Sequence, residues 1–559
     1  MQDPRAGRAV TLVMACLGVF VAYLPVTTVS VSLPAIQRAL GTSTSQLSWV
    51  SDAFVLPMAA LILTTGVWGD VHGRKRVFQA GMLFCALGAA VSLTSDSVQW
   101  LWVGQAASGL GAASLLPTTL ALISHAVPDH RERGRFIGLW AMSLLASLAV
   151  GPLIAGVLLE HVAWRWIFLL PVPVSLTVLV VAAFLLPDSR APHGRRLDWP
   201  GQISAAVAVT SVVYGVIEGG ANGFGEPAVV AALVLGAVGA AVFVAVERRS
   251  AGPMIDLALF RSPAFTATAL VAMISFLGLI GFFFVLSLYF GMVQHLTTIQ
   301  AASRMVMVTG ASLLAGLPVG RLMHRVSARV LITTGLVVTA GALLSLTNLD
   351  VHTSFGSIAW RLVLLGLGLG AVLTPMTASA VSSVPHHLTG MAAAGNNAFR
   401  QVGAALGPAV LGALLTTRAL DALPGRLTDA GVPTQTGDLV LTTARDQGLG
   451  AVAGLHLDAA TGPVLTALSS SFLDGLRLCL VVSASLAALA ALSCALLLRP
   501  TATPASASVP VLRVAPGPGS EGNGTAGNGS EGNGTAGNGT AGNGSAGNGS
   551  GRAPVTTVR

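Results

Sequence analysis

Charge is scarce in this chain. Asp, Glu, Lys and Arg make up 9% of its 559 residues, and Lys75 is the single lysine. Soluble domains carry about 25% charged residues, so a string of soluble domains is excluded and a polytopic membrane protein is indicated. Cysteine is scarce as well. Cys16, Cys85, Cys479 and Cys494 all lie inside apolar runs without metal-ligand spacing, which argues for small buried apolar residues rather than a disulfide framework or a metal site. There is no G-x-x-x-x-G-K-[ST] phosphate loop and no soluble segment large enough for a nucleotide site. No nucleophile–base pair or metal cluster is visible, so an enzyme is not expected. The net charge of +8 comes from arginines dispersed among short loops, without the aromatic interleaving that grips single strands, so no nucleic-acid partner is expected. The first apolar run is too long for the core of a cleavable leader.

What the chain has in abundance is apolar sequence. A helix needs about 20 such residues to cross the hydrocarbon core. That length predicts fourteen spans, at 10–34, 48–68, 77–96, 100–124, 136–159, 164–187, 201–219, 227–246, 264–290, 302–320, 330–349, 357–383, 390–415 and 475–498. Arginine and lysine collect in alternate loops: Arg5 and Arg8, Arg74 to Arg76, Arg131 to Arg135, Arg190 to Arg196, Arg248 to Arg261 and Arg321 to Arg329. The opposite short loops are nearly bare apart from Arg38. Both termini are therefore expected in the cytoplasm. The segment 416–474 is expected to be an external loop without chemistry. The Gly-, Asn-, Ser- and Thr-rich repeats between about 522 and 550 are expected to form a disordered cytoplasmic tail.

Three motifs recur in order. GVWGDVHGRKR at Gly66 returns as GRLMHRVSARV at Gly320, GLGAASLLP ending at Pro117 returns as LGLGAVLTP ending at Pro375, and the Gly151-Pro152 run returns around Gly407-Pro408. The offsets are 254, 258 and 256 residues. Two related six-span bundles separated by an inserted pair of spans explain them. The expected domains are 1–190, an inserted pair within 191–262, a second bundle over 263–499 and the tail from 500 to 559.

With these repeats, the turn at Gly66, WVSDAF at Trp49, WRWIFLLPVP at Trp164, PMIDLALF at Pro253 and FRQVGAALG at Phe399, the chain resembles the fourteen-span drug–proton antiporter branch of the major facilitator superfamily. The resemblance covers about residues 10 to 415 and the final span. It implies an all-α fold of two pseudo-symmetric six-helix bundles with an inserted central pair.

The same resemblance assigns roles to residues. Gly66, Asp70, Gly73, Arg74 and Lys75 would form a cytoplasmic gate. Asp70 is expected to face the positive end of a neighbouring helix, and Gly73 to take a positive φ. Val71 stands where the family usually has arginine. Ser147, Gly151, Pro152 and Gly156 would be the antiporter motif, associated with export; small residues there allow two helices to touch, and proline bends the span. Two usual coupling positions are uncharged here: Pro25 replaces the acid expected in span 1, and Gln105 stands where span 4 normally has arginine.

Among the ionisable groups within spans, Asp52, Arg304 and Arg400 are singled out, since intramembrane charge is expensive enough to be a functional candidate by default. Asp52 is the candidate protonation site, with the alternative that it reaches interfacial water. The two arginines would tune it or bind substrate, unless Arg304 snorkels outward and Arg400 serves helix carbonyls. Glu218 reads as a solvated helix end, and His125, His386 and His387 as surface residues. Phe282, Phe283, Phe284 and Tyr289, with Trp140 and Met142, would line an apolar pocket or pack against lipid.

Without a nucleotide site the drive must be an ion gradient or downhill diffusion. One charge crossing 100 mV yields about 2.3 kcal/mol, enough for a solute gradient of roughly 50-fold. The expectation is a proton-coupled exporter of a hydrophobic or amphiphilic, drug-like compound in a bacterial plasma membrane. It would work as a monomer without a bound cofactor, with lipid, protons and substrate as its partners. The alternatives are uptake or facilitated diffusion of a small polar solute, and a transport-inactive sensor or partner.

Overall fold

In hydrocarbon every backbone N–H and C=O must find its partner within the segment, so apolar runs of this length become helices. The computed structural model describes residues 4–498 apart from 128–129, 190–196, 251, 324, 386–387, 447, 453–454, 456 and 458–459. Fourteen of its helices are long and apolar enough to cross a membrane. The first eight are α1 (Pro4–Leu40), α2 (Thr44–His72), α3 (Arg74–Leu93), α4 (Val98–Ala126), α5 (His130–His161), α6 (Pro171–Leu185), α7 (Trp199–Asn222) and α8 (Pro227–Arg249). The second group is α9 (Pro263–Leu288), α10 (Thr298–Leu322), α11 (Ala328–Ser345), α12 (Phe355–Ser382), α13 (Thr389–Asp429) and, after two short helices α14 (Thr434–Asp446) and α15 (Leu449–Val452), α16 (Thr461–Leu497). Each of the fourteen overlaps an expected span. The start of α1 and the end of α16 share one face, called here the terminal face; the other is the far face. His324, His386, His387, Arg190, Arg195, Arg196 and the tail from 500 lie outside the described residues.

The packing repeats as the sequence does. In the first bundle α2 and α3 pack on α4, α1 on α5 and α3 on α6; in the second α10 and α11 pack on α12, α9 on α13 and α11 on α16. Glycine makes these crossings possible. A Cβ at Gly109 would collide with the Phe54 carbonyl between α4 and α2, and one at Gly366 with the Val308 carbonyl between α12 and α10. The bundles join through α2 against α13, its counterpart α10 against α5, and α1 against α9. This is two pseudo-symmetric six-helix bundles, with α7 and α8 packed on each other and α7 seated against both α2 and α13.

Position within the assembly follows burial. The apolar window of α9 is 83% buried and that of α8 only 17%, so α9 is central and α8 meets lipid along most of its surface. Phe282, Phe283, Phe284 and Tyr289 are accordingly core residues rather than lipid-facing ones. Trp140 is buried and its Nε1 donates to Thr119 Oγ1 at 3.0 Å.

The segment 416–474 corrects the expectation of a loop. α13 continues to Asp429, α16 begins at Thr461, and α14 and α15 lie between them. Ala419, Leu423, Leu427, Val440, Leu449, Val452 and Val464 form a small core of their own. Helices that project beyond the hydrocarbon need only one apolar stripe, which a hydropathy window does not register.

Candidate transport site

The terminal-face turn is built by Gly73, whose φ of +111° excludes most other residues. A Cβ there would also approach Asp188 Oδ1 to 2.9 Å. Asp70 accepts from Arg74 Nε at 3.0 Å and Nη2 at 2.8 Å, and Arg74 Nη1 donates to the Ala121 carbonyl at 3.3 Å. Lys75 Nζ donates to the Ala183 carbonyl at 2.8 Å, and the Arg74 amide to the Ser189 carbonyl at 2.9 Å. The charged cluster thus ties the ends of α2, α3, α4 and α6 into one unit. Gly66 packs against the Pro117 ring, where α2 passes α4.

The α5 motif divides its small residues between two neighbours. Ser143 and Ser147 donate to the Cys16 and Phe20 carbonyls of α1 at 2.8 and 2.7 Å. One turn further on, a Cβ at Gly151 would strike Thr27 Oγ1, so the same stripe holds α5 hard against α1. Pro152 follows inside the helix. Gly156 faces the other bundle, where an added Cβ would lie 2.9 Å from Ile299 Cα and Ala302 Cβ of α10.

Between the bundles the structure collects polar groups with little to bond to. Asp52 is fully buried and neither carboxylate oxygen has a hydrogen-bond partner. It lies one turn below Ser48, whose hydroxyl abuts Gly412 of α13, and so falls on the stripe of α2 that faces that helix. Interfacial water does not reach it. Gln105 is buried, donating to Ser92 Oγ at 3.4 Å while its Oε1 goes unpaired. Gln105 and Pro25 share the lining of two voids of about 10 Å³ each, one of which also takes in Ser51 and, from the second bundle, Ile280. The two positions that depart from the usual coupling residues are therefore neighbours.

The arginines lie apart from Asp52, and among the described residues neither forms an ion pair with it. Arg400 stacks 4.3 Å over the Phe276 ring, with its Nε unpaired. Arg304 does not snorkel free. Its guanidinium rests 5.4 Å from the Phe290 ring and 5.1 Å from the Phe355 ring and donates to Gln294 Oε1 at 2.5 Å.

One contact escaped sequence reasoning. Gln401 Nε2 donates to Tyr23 Oη at 2.9 Å, joining α13 to α1 across the bundle interface with both side chains buried. A polar pair inside two apolar spans was the available signal, and with only three tyrosines in the chain Tyr23 was a conspicuous one. Glu218 is also corrected. It is half-buried, accepting from Trp49 Nε1 at 3.2 Å and Asn222 Nδ2 at 3.0 Å, rather than a solvated helix end.

Known proteins place this architecture. Residues 15–408 match the Major Facilitator Superfamily profile. The chain is 31% identical over 488 residues to a tetracenomycin C resistance and export protein of Streptomyces glaucescens, covering 86% of this chain and 90% of that one. It is 32% identical over 487 residues to the multidrug efflux pump LfrA of Mycolicibacterium smegmatis, covering 86% and 94%. It is 33% identical over 405 residues to the multidrug resistance protein Stp of Mycobacterium tuberculosis, covering 72% and 75%. In fold it is similar to a bacterial homologue of the human lysosomal transporter Spinster, with a TM-score of 0.60, 16% identity and coverage of 89% and 98%. The nucleoside transporter NupG aligns with a TM-score of 0.55 at 9% identity, covering 88% of this chain and all of that one. Repeated bundles, inserted pair and sequence relatives agree: the chain belongs to the Major Facilitator Superfamily.

Proposed function

We propose that the chain is a secondary active exporter of hydrophobic or amphiphilic, antibiotic-like molecules, working by proton antiport and alternating access in a bacterial plasma membrane. The relatives named for export and drug resistance support the cargo and the direction. Arginine supports the orientation: Arg74, Arg76, Arg248, Arg249, Arg261, Arg321 and Arg329 all fall on the terminal face, the distribution expected of a cytoplasmic face. Asp70, Arg74 and Lys75 brace the cytoplasmic ends of the first bundle as a gate, and the α5 motif keeps α5 in register with α1 and α10.

The observation that carries proton coupling is Asp52. Its carboxyl lies on the α2 stripe that faces α13, with no hydrogen-bond donor and no ion-pair partner among the described residues. Separating α2 from α13 admits water to that carboxyl, and packing them expels it, so proton exchange at Asp52 is tied to the movement that opens the seam. Gln105 and Arg400 each keep one unpaired polar atom in the same interior and serve as cargo contacts.

The test is Asp52→Asn in proteoliposomes with an imposed pH gradient. Gradient-driven transport should fall about 100-fold or more, the low end of what a lost proton-transfer group costs, while downhill exchange of cargo persists. Undiminished gradient-driven transport would sink the assignment.

A further inference from the structure

The far face holds a cavity of about 570 Å³ where α2, α4, α7, α13 and α14 meet. That volume lies within the range of small-molecule sites, about 300–1,000 Å³. Its chemistry is unusual for a rim between helices. Trp49 lies 6.4 Å from Trp102 and 6.1 Å from Tyr214, centroid to centroid, so three tilted rings form one wall. Glu218, one turn along α7 from Tyr214, sets its carboxylate into that wall.

The carboxylate is held in place but not neutralised. One oxygen accepts from Trp49 Nε1 and the other from Asn222 Nδ2, both neutral donors. Each carboxylate oxygen offers two lone pairs, so one on each remains. Among the described residues no cation comes within ion-pair distance of Glu218. Arg445 of α14 lines the same cavity from its exposed rim, and it too stays out of ion-pair range of the glutamate. A fixed negative charge among aromatic faces is the complement of an organic cation, because ring faces and carboxylate attract the same charge.

We propose that this cavity is a binding site for an organic cation, with Glu218 as the counter-ion and Trp49, Trp102 and Tyr214 as the walls of the box. The inserted helix α7 supplies the charge. The site is therefore a ligand-binding role for the extra helix pair, separate from the interior seam at Asp52. It requires neither a proton gradient nor a direction of transport.

The experiment is calorimetric titration of the full chain in lipid nanodiscs with benzyltrimethylammonium, and with benzenesulfonate as the anionic counterpart. The cation should bind saturably and the sulfonate should not. Glu218→Gln, which keeps the shape of the side chain, should weaken cation binding by about tenfold or more, and Trp49→Leu by a comparable factor. Arg445→Ala should tighten it by about two- to fivefold, since a like charge leaves the rim. If Glu218→Gln misfolds, the Trp49 and Arg445 variants decide. No binding of the cation, equal binding of the sulfonate, indifference to Glu218 and Trp49, or weaker binding in Arg445→Ala would each overturn the site.

Discussion

α2 and α10 descend from one pattern and have diverged in chemistry. Both open on a capping box, Ser43 with Gln46 and Thr297 with Gln300, at positions 254 residues apart (297 minus 43). Both yield to a glycine of a neighbouring helix, Gly109 for α2 and Gly366 for α10. Yet α2 carries a buried, unpartnered aspartate and ends in a braced ion pair. α10 carries an arginine satisfied by two rings and an amide, and ends at an exposed Arg325. Duplication here preserved what packing requires and left charge free to specialise. Packing glycines cannot vary without displacing a backbone; a polar side chain can be lost from one half while the other keeps the function.

The largest effect should come from breaking what the halves share. Gly109→Leu and Gly366→Leu each force a branched side chain into a neighbouring backbone. Each should destabilise by about 3 kcal/mol or more and remove the monodisperse peak in fluorescence size-exclusion chromatography. Loss in one variant alone would show that the crossings are not equivalent. Next comes the asymmetry of the turns. Arg74→Ala removes two bonds to Asp70 and one to a carbonyl and should cost about 1–3 kcal/mol in thermal unfolding, whereas Arg325→Ala should stay within about 0.5 kcal/mol. Equal costs would mean that the Gly66 turn is not specially braced. Tyr23→Phe leaves Gln401 without its acceptor and should cost about 1–2 kcal/mol, with Gln401→Leu in the same background restoring some of the loss. Smallest and most symmetric are the caps. Ser43→Ala and Thr297→Ala should each cost about 0.5–2 kcal/mol, and a difference well beyond that range would show that α2 and α10 do not start alike.

Much of this molecule was legible in its sequence because membrane folding is local. Hydrocarbon forces helices, apolar length marks them, and glycine and proline punctuate the turns, so all fourteen spans and their duplication could be read from residues such as Gly66, Pro117 and Gly151. The Gly73 conformation was legible for the same reason. The site was less so. Tyr23 and Gln401 are 378 residues apart, and no local pattern announces that they touch. The far-face cavity draws on five helices, and its key acid looked ordinary because only the fold sets it among rings. The 416–474 segment was misread because α13 runs 41 residues, about 60 Å at helical rise, and its last third lies outside the slab that hydropathy senses.

The seat of α7 has a mechanical consequence. It is bonded to α2 through Thr64, Gln202 and the Ala60 carbonyl toward the terminal face, and through Trp49 and Glu218 toward the far face. Against α13 it meets Ala413 at Gly220, a contact with no room for a methyl group, close to the far face. The inserted pair is therefore tied to both bundles through α7, so a methyl group added at Gly220 should push α7 off α13 while its bonds to α2 hold.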